Sequence, residues 1–151
     1  MTTAQSKKPD LKFQLKGIEI LDFELKQPQF ELPPVITYHF NLRVQQKVNN
    51  KDKLVIVIVN VTILHEDKVT KLGNIGVSCI FFIENYDDVF EKKRGNEISV
   101  PKEYANVLNS ISISTTRGVM FTCFRGTFLH NAFLPVIDPK SLVLEEENAS
   151  K

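Results

Sequence analysis

The stretch Ile36-Thr37-Tyr38-His39-Phe40-Asn41-Leu42-Arg43-Val44-Gln45-Gln46-Lys47-Val48 alternates apolar and polar side chains almost without interruption. A period of two marks a strand with one dry and one wet face. Ile36, Tyr38, Phe40, Leu42, Val44 and Val48 form the dry set, and Thr37, His39, Asn41, Arg43, Gln45 and Lys47 the wet one, which assigns a strand to Val35 through Val48. The polar turn Asn49-Asn50-Lys51-Asp52 carries residues that tolerate left-handed backbone and leads straight into Leu54 to Leu64, so the two strands form a hairpin. A second polar turn, His65 to Thr70, feeds a strand over Leu72 to Ile83.

Upstream, Lys12 to Glu24 reads as a further strand. Phe13, Leu15, Leu21, Phe23 and Leu25 face one way, and Gly17 interrupts where a bulge or close approach suits. The third and fourth strands are apolar on both faces near their middles, as in Val55-Ile56-Val57-Ile58-Val59 and Ile80-Phe81-Phe82-Ile83. Helices can cover one face of such a sheet; the other stays wet or meets another subunit, which points to an oligomer.

After Tyr86 the pattern changes. The mixed charges of Glu91 to Arg94 read as a solvated turn, and Pro101 suits a first helical position. The run Ile111-Ser112-Ile113-Ser114-Thr115-Thr116 is β-branched and alternates like a strand, so periodicity alone leaves it undecided between helix and strand. Asp138 as N-cap and Pro139 at the next position predict a short helix over Asp138 to Glu145. The fold class is therefore α+β.

With 151 residues, 42% of them hydrophobic, the chain suits one domain. We assign residues 11–144 to it and treat residues 1–10 and 145–151 as flexible tails. Nineteen basic and 18 acidic residues leave a net charge of +1, too little to recruit nucleic acid or an anionic membrane. No apolar run approaches the roughly 20 residues that span a bilayer, so a cytoplasmic protein is expected. Cys79 and Cys123 sit in apolar runs and read as small buried hydrophobes.

Enzyme signatures are missing: no phosphate-cradling glycine loop, no metal-ligand spacing and no Gly-x-Ser-x-Gly elbow. His39, His65 and His130 are far apart in sequence. A Cys123–His130 pair would need a third group that the sequence does not offer. No catalytic residue, metal or cofactor is expected.

The carboxyl-terminal third resembles the SecB protein-export chaperones. Arg125-Gly126-Thr127-Phe128, then Pro135-Val136, Asp138 and Leu142, look like that family's arginine-glycine segment and its proline-led short helix. Phe13-Gln14-Leu15 with Asp22 is similar to its first strand, and Ile80-Phe81-Phe82-Ile83 to the end of its fourth. The resemblance implies a four-stranded antiparallel sheet followed by a long helix, roughly Pro101 to Phe124, and a short C-terminal helix. It also implies a homotetramer, a dimer of dimers, that holds unfolded preproteins without ATP and passes them to the translocase ATPase SecA.

An unfolded client offers apolar side chains and unpaired backbone, so a holdase needs exposed apolar grooves. Candidates for client binding are Phe30, Leu32 and Pro33, in a segment that looks like the family's crossover loop, and Phe121, Phe124, Phe128 and Phe133. The bland alternative is that these phenylalanines are core. The family docks the ATPase through carboxylates on the outer sheet face. Asp22 matches one such position and Glu24 comes into play with a small gap, whereas Lys26 and Asn74 stand where other carboxylates would be. A chaperone dedicated to one client such as an antitoxin would tolerate that loss. A structural subunit without holdase activity is the remaining alternative.

Overall fold

The hairpin forms where the alternation places it. In the structure, a computed structural model that describes residues 8–92 and 98–137, β2 (His39–Asn49) and β3 (Leu54–Leu64) pair antiparallel, with Val44 opposite Val59. The turn is closed by Asn49, whose side chain accepts from the Asp52 N–H at 3.1 Å and donates to the Asp52 carboxylate at 3.0 Å. Its left-handed residue is Lys53, at φ 57°. Residues 35–38, assigned to the strand by their alternation, instead belong to the connection that precedes it.

β4 (Lys71–Ile83) continues the meander, and β1 (Phe13–Leu25) adds to its far side, giving the antiparallel order β1-β4-β3-β2. β1 and β2 are consecutive in sequence yet occupy opposite edges, so residues 26–38 cross one end of the sheet. Phe30 meets the His65 ring at the end of β3 on the way, 5.0 Å between centroids.

Residues opposite one another share a face. The first face carries Val55, Val57, Val59, Val61 and Ile63 of β3, all fully buried, flanked on β4 by Phe81, Cys79, Val77 and Ile75. The second carries Leu54, Ile56 and Ile58 of β3 beside Phe82, Ile80 and Ser78 of β4.

The phase of β1 differs from its sequence reading. Register shifts between Leu15 and Gly17 and between Ile20 and Asp22 mark two bulges, which leave Lys16 and Leu21 unpaired. Leu15, Ile18, Ile20, Phe23 and Leu25 therefore share the first face, and Leu21 leaves the set to which simple alternation assigned it.

That first face is covered by α2 (Lys102–Cys123), packed over β3 and β4. Pro101 is the N-cap, one residue before the expected position, and its carbonyl accepts from Tyr104 and Ala105. The ambiguous β-branched run is helical because its hydroxyls have partners inside the helix: Ser112 donates to the Leu108 carbonyl at 2.8 Å and Thr116 to the Ser112 carbonyl at 2.7 Å. Both are fully buried against the sheet beside Asn109, which accepts from Gln46 of β2 at 2.7 Å. The helix runs unbroken through Gly118.

A short helix α1 (Tyr86–Val89) and a two-stranded ribbon, β5 (Glu91–Lys92) with β6 (Ile98–Ser99), link sheet to α2 where the sequence suggested only a turn. Of the expected N-terminal tail, Pro9 and Asp10 accept hydrogen bonds from Tyr104 and Asn85. The short helix assigned to Asp138 through Glu145 and the tail at 145–151 lie outside the described residues.

The turn between β3 and β4 is organised by Asp67, which accepts from the Thr70 hydroxyl and from the N–H groups of Thr70 and Val69 at 2.8 and 2.9 Å. The Thr70 hydroxyl above all, then the two N–H groups, lowers its carboxyl from 3.8 to about 2. A folded value below the unfolded one adds stability above pH ~4 that is lost as the pH falls. In urea titrations, Asp67→Asn is expected to unfold earlier than wild type near neutrality, and the gap should close between pH ~4 and ~2.

Candidate functional site

Apolar side chains that the fold leaves uncovered gather on β1 and at the carboxyl end of α2. On β1, Leu15, Ile18, Ile20, Phe23 and Leu25 project to the helix side of the sheet but are 39–52% exposed, because α2 sits over the two central strands. An edge strand with such a row, and a free hydrogen-bonding edge, presents to solvent what a sheet normally buries.

The row continues past the end of the strand. Phe23 packs on Phe124, 5.3 Å between centroids, and Phe124 is the C-cap of α2. One helical step away Phe121, 55% exposed, stacks on Phe133, 54% exposed, at 6.3 Å and 20°. The segment that brings Phe133 back reverses at Gly126, whose φ of 79° is left-handed backbone suited to glycine. Arg117 pins it by donating from Nε to the Leu134 carbonyl at 2.8 Å and from Nη2 to the Pro135 carbonyl at 2.9 Å. Leu129 of the same segment lies on the sheet over Gly73, where an added Cβ would come within 2.7 Å of Leu129 Cδ1 and 3.1 Å of the Glu24 carbonyl oxygen.

The residues expected to bind a client divide accordingly. Phe121 and Phe133 are exposed and in contact. Phe30 is 44% exposed, Pro33 is exposed and Leu32 is half-buried, all on the crossover at the same end of the sheet. Phe128 is half-buried against the core, and its carbonyl accepts from Tyr38 of the crossover at 3.2 Å. Phe124, at 1% exposure, lies in the core, on the helical stripe with Leu108, Ser112, Thr116 and Met120 that faces the sheet. Once the segment is known to be helical, the spacing of four from Leu108 through Met120 to Phe124 separates Phe124 from Phe121.

The row on β1 escaped the sequence reading. Ile18 and Ile20 look like the wet face of a regular strand until the bulges shift them. A connection too long for a tight hairpin was the available sign that β1 lies apart from β2 at an edge.

Asp22 and Glu24 sit on the opposite face, one row apart, and both are engaged within the chain. Asn74 donates to the Asp22 carboxylate. Lys71 bonds Glu24 at 2.8 Å and holds its carboxyl below the usual range, first by that hydrogen bond and then by charge. Cys79 is fully buried, and burial raises its thiol pKa despite hydrogen bonding with Ser112 and Thr115. Among the described residues no group of three His, Cys, Asp or Glu side chains could hold a metal ion, and no helix is long and apolar enough to cross a membrane.

Four antiparallel strands in the order β1-β4-β3-β2, with a crossover between the outer two and a long helix on one face, make the fold SecB-like. A solved structure that shares it is the Mycobacterium tuberculosis SecB-like chaperone Rv1957 in complex with a ChAD peptide from the Rv1956 HigA1 antitoxin. The likeness has a TM-score of 0.58 at 11% identity and covers 83% of this chain and 89% of that one. No protein-family model and no curated protein sequence matches the chain.

The division between core and surface aromatics has a direct test. Phe124→Ala is expected to cost about 3–5 kcal/mol in urea unfolding, whereas Phe121→Ala, removing a side chain that solvent already reaches, should cost less than about 1 kcal/mol.

Proposed function

We propose that this chain is a non-enzymatic, ATP-independent chaperone that holds an extended apolar segment of one dedicated client, an antitoxin being the leading kind. The observation that carries the reading is the uncovered row Ile18, Ile20 and Phe23 on β1, continued toward Phe121 and Phe133. An extended segment offers alternate apolar side chains and unpaired backbone. The row matches the first and the open edge of β1 the second. Phe30, Leu32 and Pro33 on the crossover, with Phe128 behind them, extend the surface at one end. The likeness of fold to a chaperone in complex with an antitoxin peptide supports a peptide of that kind.

A general holdase for preproteins that feeds SecA is the second reading, and it has less behind it. Its dock would be Asp22 and Glu24, yet Lys71 neutralises one and Asn74 engages the other, while Lys26 adds positive charge beside them. A cytoplasmic setting and a homotetramer, dimer of dimers, belong to either reading. A structural subunit without holding activity would leave the β1 row unexplained.

Two measurements separate these readings. A dedicated chaperone should protect one partner from aggregation or proteolysis and leave a generic denatured, reduced precursor to precipitate; a general holdase should keep the generic precursor soluble at near-stoichiometric ratio. Ile18→Ser with Ile20→Ser should weaken capture of the protected client about ten-fold or more, with a far-UV spectrum like wild type. Phe30→Ser with Leu32→Ser should weaken it too, at unchanged oligomer mass. Capture that survives both pairs of changes would move the site elsewhere.

A further inference from the structure

Charge on the helix side of the sheet is of one sign around the uncovered apolar row. None of the strand residues that share the first face is charged. From Tyr104 to Ile137 the chain has no aspartate or glutamate, and its basic side chains are Arg117, Arg125 and His130. His130 Nδ1 meets the Thr127 carbonyl at 2.8 Å. The carboxylates of β1 are turned away and occupied: Asp22 and Glu24 lie on the opposite face, held by Asn74 and Lys71. The crossover brings one charge of each sign, Lys26 and Glu31, and Glu103 at the amino end of α2 pairs with Lys8 at 3.4 Å.

Two guanidinium groups therefore stand at the aromatic end of the site with no carboxylate partner among the described residues. Arg117 lies one turn before Phe121 on α2 and spends two of its five N–H donors, on the Leu134 and Pro135 carbonyls next to Phe133. Arg125 follows the C-cap Phe124, is exposed, and makes no hydrogen bond or ion pair among the described residues. Thr127, not Arg125, closes the helix end: its N–H and its hydroxyl both donate to the Phe124 carbonyl, at 3.1 and 2.7 Å.

We infer that the site selects its client by charge as well as by apolar content: the preferred occupant is an extended segment whose alternate apolar side chains are flanked by carboxylates, and Arg125 is the specificity-determining residue that reads them. The inference rests on the client reading above and names the chemistry of that client. An apolar row alone accepts any extended apolar segment that fits, because burial scales with area and is indifferent to what flanks it. A guanidinium at the rim adds the discrimination that area lacks. It can hold a carboxylate through two parallel N–H···O bonds, and it repels a lysine or arginine brought to the same place, so the wrong partner is rejected while the right one is gained. Arg117, fixed by its two carbonyl bonds beside Phe133, adds to the same positive field.

Fluorescence anisotropy with three labelled peptides tests this on the full chain. All three alternate isoleucine and serine over the same length and carry a pair of glutamates, glutamines or lysines at each end. Wild type is expected to bind the glutamate peptide about ten-fold more tightly than the lysine peptide, with the glutamine peptide between them. High salt should bring the three affinities together. Arg125→Glu should reverse the order of the glutamate and lysine peptides and leave the glutamine peptide within about two-fold of wild type, which also shows that the variant keeps its fold. Equal binding of all three peptides by wild type, or an order that Arg125→Glu leaves unchanged, would overturn the inference and leave the client reading standing. Binding of none of them, the glutamine peptide included, would overturn both.

The chain's own stretch Leu142-Val143-Leu144-Glu145-Glu146-Glu147 has the same chemistry. A full chain with Glu145→Gln, Glu146→Gln and Glu147→Gln separates the two occupants. Unchanged affinity for the glutamate peptide is expected; a gain of about ten-fold or more, the mark of a tethered competitor removed, would assign the site to that stretch and overturn the inference of a separate client.

Discussion

β1 pairs with β4, not with β2, and the remaining architecture is arranged around that pairing. β4 is largely buried, and its backbone N–H and C=O groups need a hydrogen-bonding strand on each side. β3 supplies one through the tight turn at Asp67, and β1 the other. The consequence is an obligatory crossover, because residues 26–38 must travel the width of the sheet to start β2 at the far edge. Its prolines and its few anchors, Phe30 on His65 and Tyr38 on the Phe128 carbonyl, follow from that journey. So does the exposure of β1, which is left at an edge outside the reach of α2.

The hairpin of β2 and β3 was legible in the sequence to the residue at Leu54 and Leu64, since alternation and a polar turn are local properties. The start of β2 was not, because Ile36 and Tyr38 alternate as a strand does while serving in the crossover. α2 was legible only through family resemblance. Its sheet-facing stripe is built of Asn109, Ser112 and Thr116 in place of large aliphatics, and back-bonding of the hydroxyls to carbonyls four residues earlier is a tertiary-level compensation that single-residue propensity does not register. The candidate site was half visible. Proline-flanked Phe30 and Leu32 stood out by composition, whereas Ile18 and Ile20 were hidden by two bulges that no residue type announces. The ribbon of β5 and β6 and the short α1 went unseen beside a charge cluster that reads as a turn.

The two faces of the sheet divide the labour. On one, α2 covers the central strands with a seam that includes an amide pair, half-buried Gln46 and buried Asn109, and leaves the β1 row open. The other carries half-exposed Leu54, Ile56, Ile58, Ile80 and Phe82 amid charged side chains, with the Lys16 ammonium over the Phe82 ring and Lys71 on Glu24. Bulges in β1 decide which side the row faces, since without them Ile18 and Ile20 would point to the charged side.

Those same bulges set a length scale along the open edge. A straight strand of thirteen residues would be a continuous template on which other chains could extend the sheet without limit. Interrupted at Lys16 and at Leu21, the edge instead presents short ladders, Gly17 to Ile20 and Asp22 to Leu25, that are out of step with one another. A guest strand can satisfy one ladder but must kink to enter the next. The edge is thus permissive to a brief, irregular companion and resistant to the endless stacking of fibres.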